Sequence, residues 1–221
     1  MRFVPIKQIE HRDMQMLHRI RSQAVKQRTA LSNQIRGFLA ENGIVLPRGF
    51  LPIRSRLQDV IESAENQLSF MARELLSELL EEFHKLDARV DRYNRKIEQF
   101  IQQNPVCQRL MQVEGVGPLT ATIWWATITE PHLFKNGRGV AALLGLVPKQ
   151  HSSGGRTTLL GVSKRGDPYV RTLLIHGART VIKYALQGKT AQQRWIMEKV
   201  ERSGVNKTAI AVARVCHQLA K

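Results

Sequence analysis

The feature that most constrains the fold is a seam of apolar side chains in the stretch from about residue 68 to residue 103. Its members alternate spacings of four and three residues: Leu79, Phe83, Leu86, Val90, Tyr93, Ile97 and Phe100. That spacing places them on one stripe of a helix roughly 50 Å long, at about 1.5 Å per residue. A stripe kept over about three heptads is typical of a coiled coil. The partner of the seam is either an earlier helix folded back or another subunit.

The earlier helix is predicted for about residues 7–41, where apolar side chains recur at three- and four-residue steps until Asn42 and Gly43 end it. Its polar face is basic and either is solvated or contacts phosphates: Arg12, Arg19, Arg21, Lys26, Arg28 and Arg36. Shorter helices are predicted near Leu110 and over 119–127, 137–144, 168–186, 191–202 and 207–219. No strand alternation persists, so we predict an all-α fold: long helices forming a coiled coil, followed by a compact helical domain.

Two domains are predicted from the break at Asn104-Pro105, because the residue before a proline disfavours helical backbone. Residues 1–104 form a helical coiled-coil linker region, and residues 105–221 form the compact helical domain. Within that domain, Asp167 is expected to cap a helix that begins at Pro168.

The charge of the chain is concentrated in its later half. Thirty-four Lys and Arg face eighteen Asp and Glu, a formal net charge of +16. Residues 131–190 hold ten bases and one acid, Asp167, whereas residues 54–104 hold eight bases and ten acids. Such an excess predicts a polyanionic partner, and nucleic acid is favoured over an anionic membrane surface.

The cellular location is predicted from the cysteine content and from the length of the apolar runs. Its two cysteines, Cys107 and Cys216, have neither disulfide-framework nor zinc spacing, which fits a reducing cytoplasm. No apolar run reaches the roughly 18 residues of a membrane span. We therefore expect a cytoplasmic protein with no membrane partner.

A glycine-containing turn is the first motif that can bind nucleic acid. Residues 110–121 have the form of a helix-hairpin-helix, in which two short helices meet at a Gly-hydrophobic-Gly turn, here Gly115 and Gly117. Glycines let the backbone approach a phosphate, and the next helix presents its free N–H groups. The alternative is a plain tight turn between core helices.

A polar segment rich in serine and glycine, residues 145–156, can carry chemistry. It is expected to be a loop holding Lys149, Gln150, His151, Ser152, Ser153 and Arg156, and a second basic turn follows with Lys164 and Arg165. A serine that attacks a phosphodiester needs backbone freedom, cations for the phosphoryl oxygens, and a group that removes its proton. His151 is either that base or a phosphate contact, and the segment is otherwise a flexible connector.

Four motifs in order resemble the C-terminal domain of the DEDD-type insertion-sequence transposases, the bridge-RNA-guided recombinases. They are residues 113–121, 134–138, 143–155 and 163–174. The early segments 1–7 and 28–37 also resemble the region that follows this family's first domain, so the resemblance covers nearly the whole chain.

The resemblance implies a role in DNA transposition and recombination in a bacterial, nucleoid-associated protein. The family's serine forms a covalent phosphoserine link with DNA, and the matching residue is Ser153, with Ser152 as the other register. The implied nucleic-acid-binding residues are Gly115, Gly117, Lys149, Gln150, His151, Arg156, Lys164, Arg165 and Arg171. DNA, a guide RNA and a second copy joined through the coiled coil are the expected partners.

The resemblance leaves out the family's acidic metal site. The chain is expected to begin where the first domain of the family ends, so no metal ligand is assigned to it. We expect no cofactor in this chain, and magnesium only with that first domain. The alternative to a transposase portion is therefore a catalytically inactive, truncated one that serves only as a DNA- or RNA-binding or dimerisation module.

Overall fold

A computed structural model describes residues 6–134, 136–185 and 190–215, apart from the side chains of residues 156 and 215. Within them the chain is mostly helical, which confirms the all-α prediction, and it has one two-stranded sheet. The α-helices are α1 (Ile9–Glu41), α2 (Leu51–Glu62), α3 (Phe70–Gln103), α4 (Pro105–Met111), α5 (Pro118–Thr127), α6 (Gly137–Leu143), α7 (Pro168–Ala185) and α8 (Ala191–Val215). The strands are β1 (Pro148–Ser153) and β2 (Arg156–Val162), and a 3₁₀ turn spans Pro131–Leu133.

The ends of two predicted helices, residues 186 and 216–219, lie outside the described residues. In the described ranges no helix combines the length and the apolar run that crossing a membrane requires.

Polar caps and one glycine fix where the later helices begin and bend. Asn104 accepts hydrogen bonds from two backbone N–H groups of the next turn, both at 3.0 Å, so α4 begins directly after α3. Asp167 caps α7 in the same way, at 2.7 and 3.3 Å, which confirms the prediction. Gly204 has φ 76° and ψ 160°, which interrupts α8. That break falls between the helices predicted for 191–202 and 207–219.

The chain divides into two compact units. The first unit comprises residues 16–96, and the second comprises residues 97–221 together with residues 1–15. Helices α1 and α3 contribute residues to both units. This division does not test the domain boundary predicted after residue 104, which stays a prediction.

The core of the first unit lies between one apolar face of each of its helices, α1, α2 and α3. Its buried members are Leu31, Ile35, Leu39, Ile53, Leu57, Ile61, Leu68, Leu76, Leu80, Phe83 and Leu86. Helices α1 and α3 run antiparallel, because Arg21 donates to Asn94 at 2.6 Å while Arg28 contacts Asp87. The part of the predicted seam in this unit thus packs within the same chain. The coiled coil and the joining of two copies through it stay predictions.

Asp87 links all three helices of the first unit. Its carboxylate contacts Arg28 at 2.6 Å and Arg54 at 2.5 Å, and the Asp87 side chain is 12% exposed. Hydrogen bonds from Arg54, and then from Arg28, lower the pKa of Asp87 against the effect of burial. Arg36 also has partners inside the unit, since it donates to backbone carbonyls. Three basic side chains on the predicted polar face of α1, including Arg21, therefore form internal contacts rather than an open phosphate-binding stripe.

The second unit is built around α5, α7 and α8. Most of α5 is buried: Thr120, Ala121, Thr122, Ile123, Trp124 and Ala126. Helices α7 and α8 pack together and supply much of the remaining core. The Trp125 ring lies 4.1 Å from the His11 ring and 4.9 Å from the Phe100 ring, between centroids, and Gln15 donates to the carbonyl of Ala126 at 3.0 Å. These contacts explain why residues before position 16 belong to this unit.

Candidate nucleic-acid interface

The turn between α4 and α5 is shaped by two glycines. Gly115 has φ 82°, in the left-handed region that favours glycine, and Gly117 precedes the first helical residue, Pro118. Gly117 is the residue before α5 and has no side chain that could accept hydrogen bonds from the N–H groups of the first helical turn. The order of helix, glycine turn and helix is that of the predicted motif. Its assignment as a helix-hairpin-helix and its phosphate contact stay predictions.

The turn rests directly on the backbone of α7. A Cβ atom placed on Gly177 would lie 2.0 Å from the carbonyl oxygen of Gly115. A Cβ atom on Gly115 would lie 2.8 Å from the carbonyl oxygen of Gly177 and 2.7 Å from a methyl carbon of Val181. Only two glycines permit this approach, which fixes the turn against the middle of α7.

A groove lies beside this contact, and we call it the α5–α7 groove. It has a volume of about 490 Å³ and is lined by Gly115, Gly117, Pro118, Leu119, Thr120, Leu173, His176, Gly177, Arg179, Thr180 and Lys183. The residues from α7 were not among those predicted from the sequence to bind nucleic acid. Gly177, a glycine inside a predicted helix, is the signal in the sequence that something packs closely there.

The segment that holds the candidate serine is a β-hairpin rather than the expected loop. Strands β1 and β2 pair antiparallel, with Ser153 opposite Arg156. Gly154 and Gly155 join them with φ values of 56° and 75°, as a two-residue type I′ turn requires. Most of both strands is exposed, so the alternation of buried and exposed residues that marks a strand is missing. That is why the sequence did not reveal it.

The hairpin places Ser152 and Ser153 on opposite faces, since side chains alternate along a strand. His151 and Ser153 share one face, and Gln150 and Ser152 share the other. Gln150 donates to the hydroxyl oxygen of Ser152 at 2.9 Å. Ser153 is exposed and is the last residue of β1 before the glycine turn.

The base of the hairpin is held by close backbone contacts. A Cβ atom on Gly145 would lie 1.7 Å from the carbonyl oxygen of Arg165, and one on Gly166 would lie 1.9 Å from that of Leu143. Arg214 donates from Nε to the carbonyl oxygen of Leu146 at 2.7 Å. Burial lowers the pKa of Arg214, although arginine remains charged at any physiological pH. The segment just before β1 and the segment just after β2 are therefore fixed together.

The structure gathers six of the predicted nucleic-acid-binding side chains on the hairpin and around its base: Lys149, Gln150, His151, Lys164, Arg165 and Arg171. All except Arg171 are exposed. The Arg171 guanidinium donates to the carbonyl oxygens of Leu144 at 3.1 Å and Arg165 at 3.3 Å, so it helps to hold the hairpin base. Arg156 begins β2, and its side chain lies outside what the structure describes. Nucleic-acid contact by these residues stays a prediction.

Among the described residues, the acidic side chains do not converge on a metal site. Glu74, Glu78, Glu81 and Glu82 are exposed on α3. Across the described residues, no three His, Cys, Asp or Glu side chains converge as metal ligands. The described residues thus do not fit a magnesium site, and the magnesium expected with the family's first domain stays a prediction.

Comparison with known proteins places the turn, the groove and the hairpin in one family region. Residues 107–195 match the model of the Transposase IS116/IS110/IS902 family. The region contains every residue predicted from the sequence as a site residue, from Gly115 to Arg171.

Three curated proteins are similar to this chain over nearly its whole length. A probable family 20 transposase of Pseudomonas aeruginosa is 42% identical over 214 residues, which cover 96% of this chain and 63% of that protein. The transposase for insertion sequence element IS1111A of Coxiella burnetii is 38% identical over 96% of this chain and 58% of its own length. The transposase for IS1328 of Yersinia enterocolitica is 31% identical over 100% of this chain and 65% of its own length. The chain therefore spans less than two thirds of the length of these relatives.

Proposed function

We propose that this chain is the part of an insertion-sequence transposase that binds DNA and supplies Ser153 as the nucleophile for strand exchange. The position of Ser153 carries the proposal: it is the exposed last residue of β1, directly before Gly154 and Gly155. A hydroxyl on the end of a narrow ribbon can reach a backbone phosphorus that a hydroxyl inside a groove could not. The transposase relatives support the reaction class.

The chemistry is a transesterification. The Ser153 oxygen forms a bond to phosphorus as the bond from phosphorus to one nucleotide oxygen breaks, and that oxygen takes up a proton. The serine proton passes to a base, for which His151 is the candidate because it lies on the same face of the hairpin. The number of phosphodiester bonds is unchanged, so a hydroxyl of another strand can attack the phosphoserine and release Ser153.

The charge around Ser153 suits the transition state of this reaction. Phosphoryl transfer spreads negative charge over the equatorial oxygens of phosphorus, and fixed cations stabilise it. Lys149 lies on β1, and Lys164 and Arg165 follow β2. The acid of this region, Asp167, uses its carboxylate to cap α7. The hairpin segment therefore presents several cations to an incoming phosphate, and the N–H groups at the start of α7 partly offset the negative charge of Asp167.

The test is covalent capture of DNA. Labelled duplexes that carry the ends of the insertion sequence are incubated with the chain, denatured in detergent and separated by size. We expect a protein–DNA adduct that Ser153→Ala abolishes and that Ser152→Ala, the matched control on the opposite face, retains. An adduct that survives Ser153→Ala and is lost in Ser152→Ala would overturn the choice of nucleophile.

The same experiment separates the proposal from a binding module without catalysis. Such a module would bind the duplexes with affinity that falls steeply as salt rises, because phosphate contacts release counterions, and it would form no adduct. Such a module could also bind guide RNA, and this binding is measured with RNA in place of the DNA duplexes. A chain that binds neither DNA nor RNA at low salt would contradict both readings.

A further inference from the structure

We propose that the α5–α7 groove is a second nucleic-acid contact, at which Arg179 and Lys183 bind backbone phosphate. The inference rests on the proposed function, since it assumes that the chain binds nucleic acid. It assigns phosphate binding to α7, apart from the glycine turn and the serine hairpin. Neither Arg179 nor Lys183 is among the site residues predicted from the sequence.

The shape of the groove is set by backbone rather than by mobile side chains. The contact between Gly115 and Gly177 fixes the α5 end of the groove against α7, because neither position has room for a Cβ atom. Thr120, which is 6% exposed, closes the floor on the α5 side. A ligand that enters the groove therefore meets walls that are already in place, and little ordering is needed on binding.

The charge of the groove comes from α7. Arg179 and Lys183 lie four residues apart, so they are neighbours on one face of the helix, with about 5–6 Å between their Cβ atoms. His176 lines the same side, and the lining residues include no Asp or Glu. The groove is thus a basic surface that has no carboxylate of its own to neutralise it.

Arg179 is held in place by α8. Its guanidinium donates from Nη2 to the amide oxygen of Asn206 at 3.0 Å, which restricts the side chain without neutralising its charge. A guanidinium carries five N–H donors in a planar fork that matches two phosphate oxygens. Lys183, by contrast, is an exposed point charge on a flexible stem. The pair combines one oriented contact with one adaptable contact.

The ligand class follows from the donors that the groove contains. The two cations, Arg179 and Lys183, suit phosphate oxygens, and they line an open groove rather than a deep enclosed pocket that would select a small metabolite. Leu119 and Thr120 also bring the first turn of α5 to the groove wall, where the helix dipole adds positive potential. Contacts of this kind bind the sugar-phosphate backbone without reading base sequence.

The experiment measures how DNA binding by the full chain depends on salt. Arg179→Gln with Lys183→Gln is compared with Arg194→Gln with Arg202→Gln, two exposed cations on α8 that do not line the groove. Each phosphate contact adds about 0.9 to the slope of log affinity against log salt on duplex DNA. We expect the groove variant to lose about 2 units of slope and to weaken binding equally on unrelated sequences, with the control near wild type.

The outcomes separate failure of the inference from failure of the proposed function. Equal loss of slope in the two double variants would show a general charge effect and would overturn the groove. A change in which sequence is preferred would overturn the claim that the groove binds backbone alone. Absence of salt-dependent binding by the wild-type chain would instead refute the proposed function. Thermal unfolding of each variant excludes misfolding. All four side chains are exposed, and loss of the exposed hydrogen bond from Arg179 to Asn206 should lower the melting temperature by no more than about 2–4 °C.

Discussion

The two compact units use their basic side chains differently. In the first unit, Arg28 and Arg54 converge on the carboxylate of Asp87, and Arg21 donates to Asn94. In the second unit, Lys149 on the hairpin and Arg179 and Lys183 in the α5–α7 groove are exposed, and the carboxylate of Asp167 caps α7. A row of arginines in a sequence therefore does not by itself mark a phosphate-binding surface. What decides is whether a carboxylate pairs with the arginine or the fold partly buries it. Arg179 also donates to an amide oxygen, that of Asn206, but its side chain stays exposed.

Removal of Asp87 is expected to have the largest effect, because it breaks the pairing that defines the first unit. Asp87→Ala leaves Arg28, whose side chain is 12% exposed, without its carboxylate partner. Loss of one partner of a buried pair typically costs about 3–5 kcal/mol. We expect the free energy of unfolding in urea to fall by that order, towards the lower end since Arg54 is 40% exposed. Glu82→Ala, at an exposed position of the same helix, is the control and should change stability by less than about 0.5 kcal/mol.

The second prediction compares one helical glycine from each unit. Gly177→Ala forces a methyl group to 2.0 Å from the carbonyl oxygen of Gly115, and backbone must move to relieve it. We expect a loss of about 3 kcal/mol in the free energy of unfolding, at the upper end of the usual overpacking cost. Gly37→Ala in α1 meets no atom within 4 Å and should stabilise the chain by about 0.5–1 kcal/mol, because alanine is the better helix former.

If Gly177→Ala were as harmless as Gly37→Ala, the turn between α4 and α5 would not rest on α7 as described. The groove would then lack the fixed wall that the phosphate proposal requires. Chemical denaturation of both variants, with helicity followed by circular dichroism, gives the two free energies under one set of conditions.

Much of the fold could be predicted from the sequence because its helices carry local signals. The bounds of α1 and α3 follow from apolar spacing and from Asn104, and the start of α7 follows from Asp167 and Pro168. These signals act within a few residues of the chain. The bounds of these helices therefore depend little on tertiary contacts.

The hairpin and the groove could not be predicted, for two different reasons. The hairpin strands are exposed on both faces, so no periodic burial marks them, and the glycine pair is equally suited to a loop. The groove depends on Gly115 meeting Gly177, a contact between residues 62 positions apart that no local pattern encodes. Arg179 and Lys183 become neighbours of the glycine turn only through that contact.

The smallest effects are expected when single cations are removed, one exposed on the hairpin and one with a partner inside the first unit. Lys149→Gln removes an exposed cation of the hairpin, whereas Arg21→Gln removes a cation that donates to Asn94 inside the first unit. On duplex DNA we expect Lys149→Gln to reduce the salt slope by about 1 and leave stability unchanged. Arg21→Gln should leave the slope unchanged and lower the free energy of unfolding by about 1 kcal/mol, the usual worth of one hydrogen bond. The reverse pattern would mean that the cations of α1 face nucleic acid in the bound state and that partial burial, as of Arg21, does not decide which arginines bind DNA.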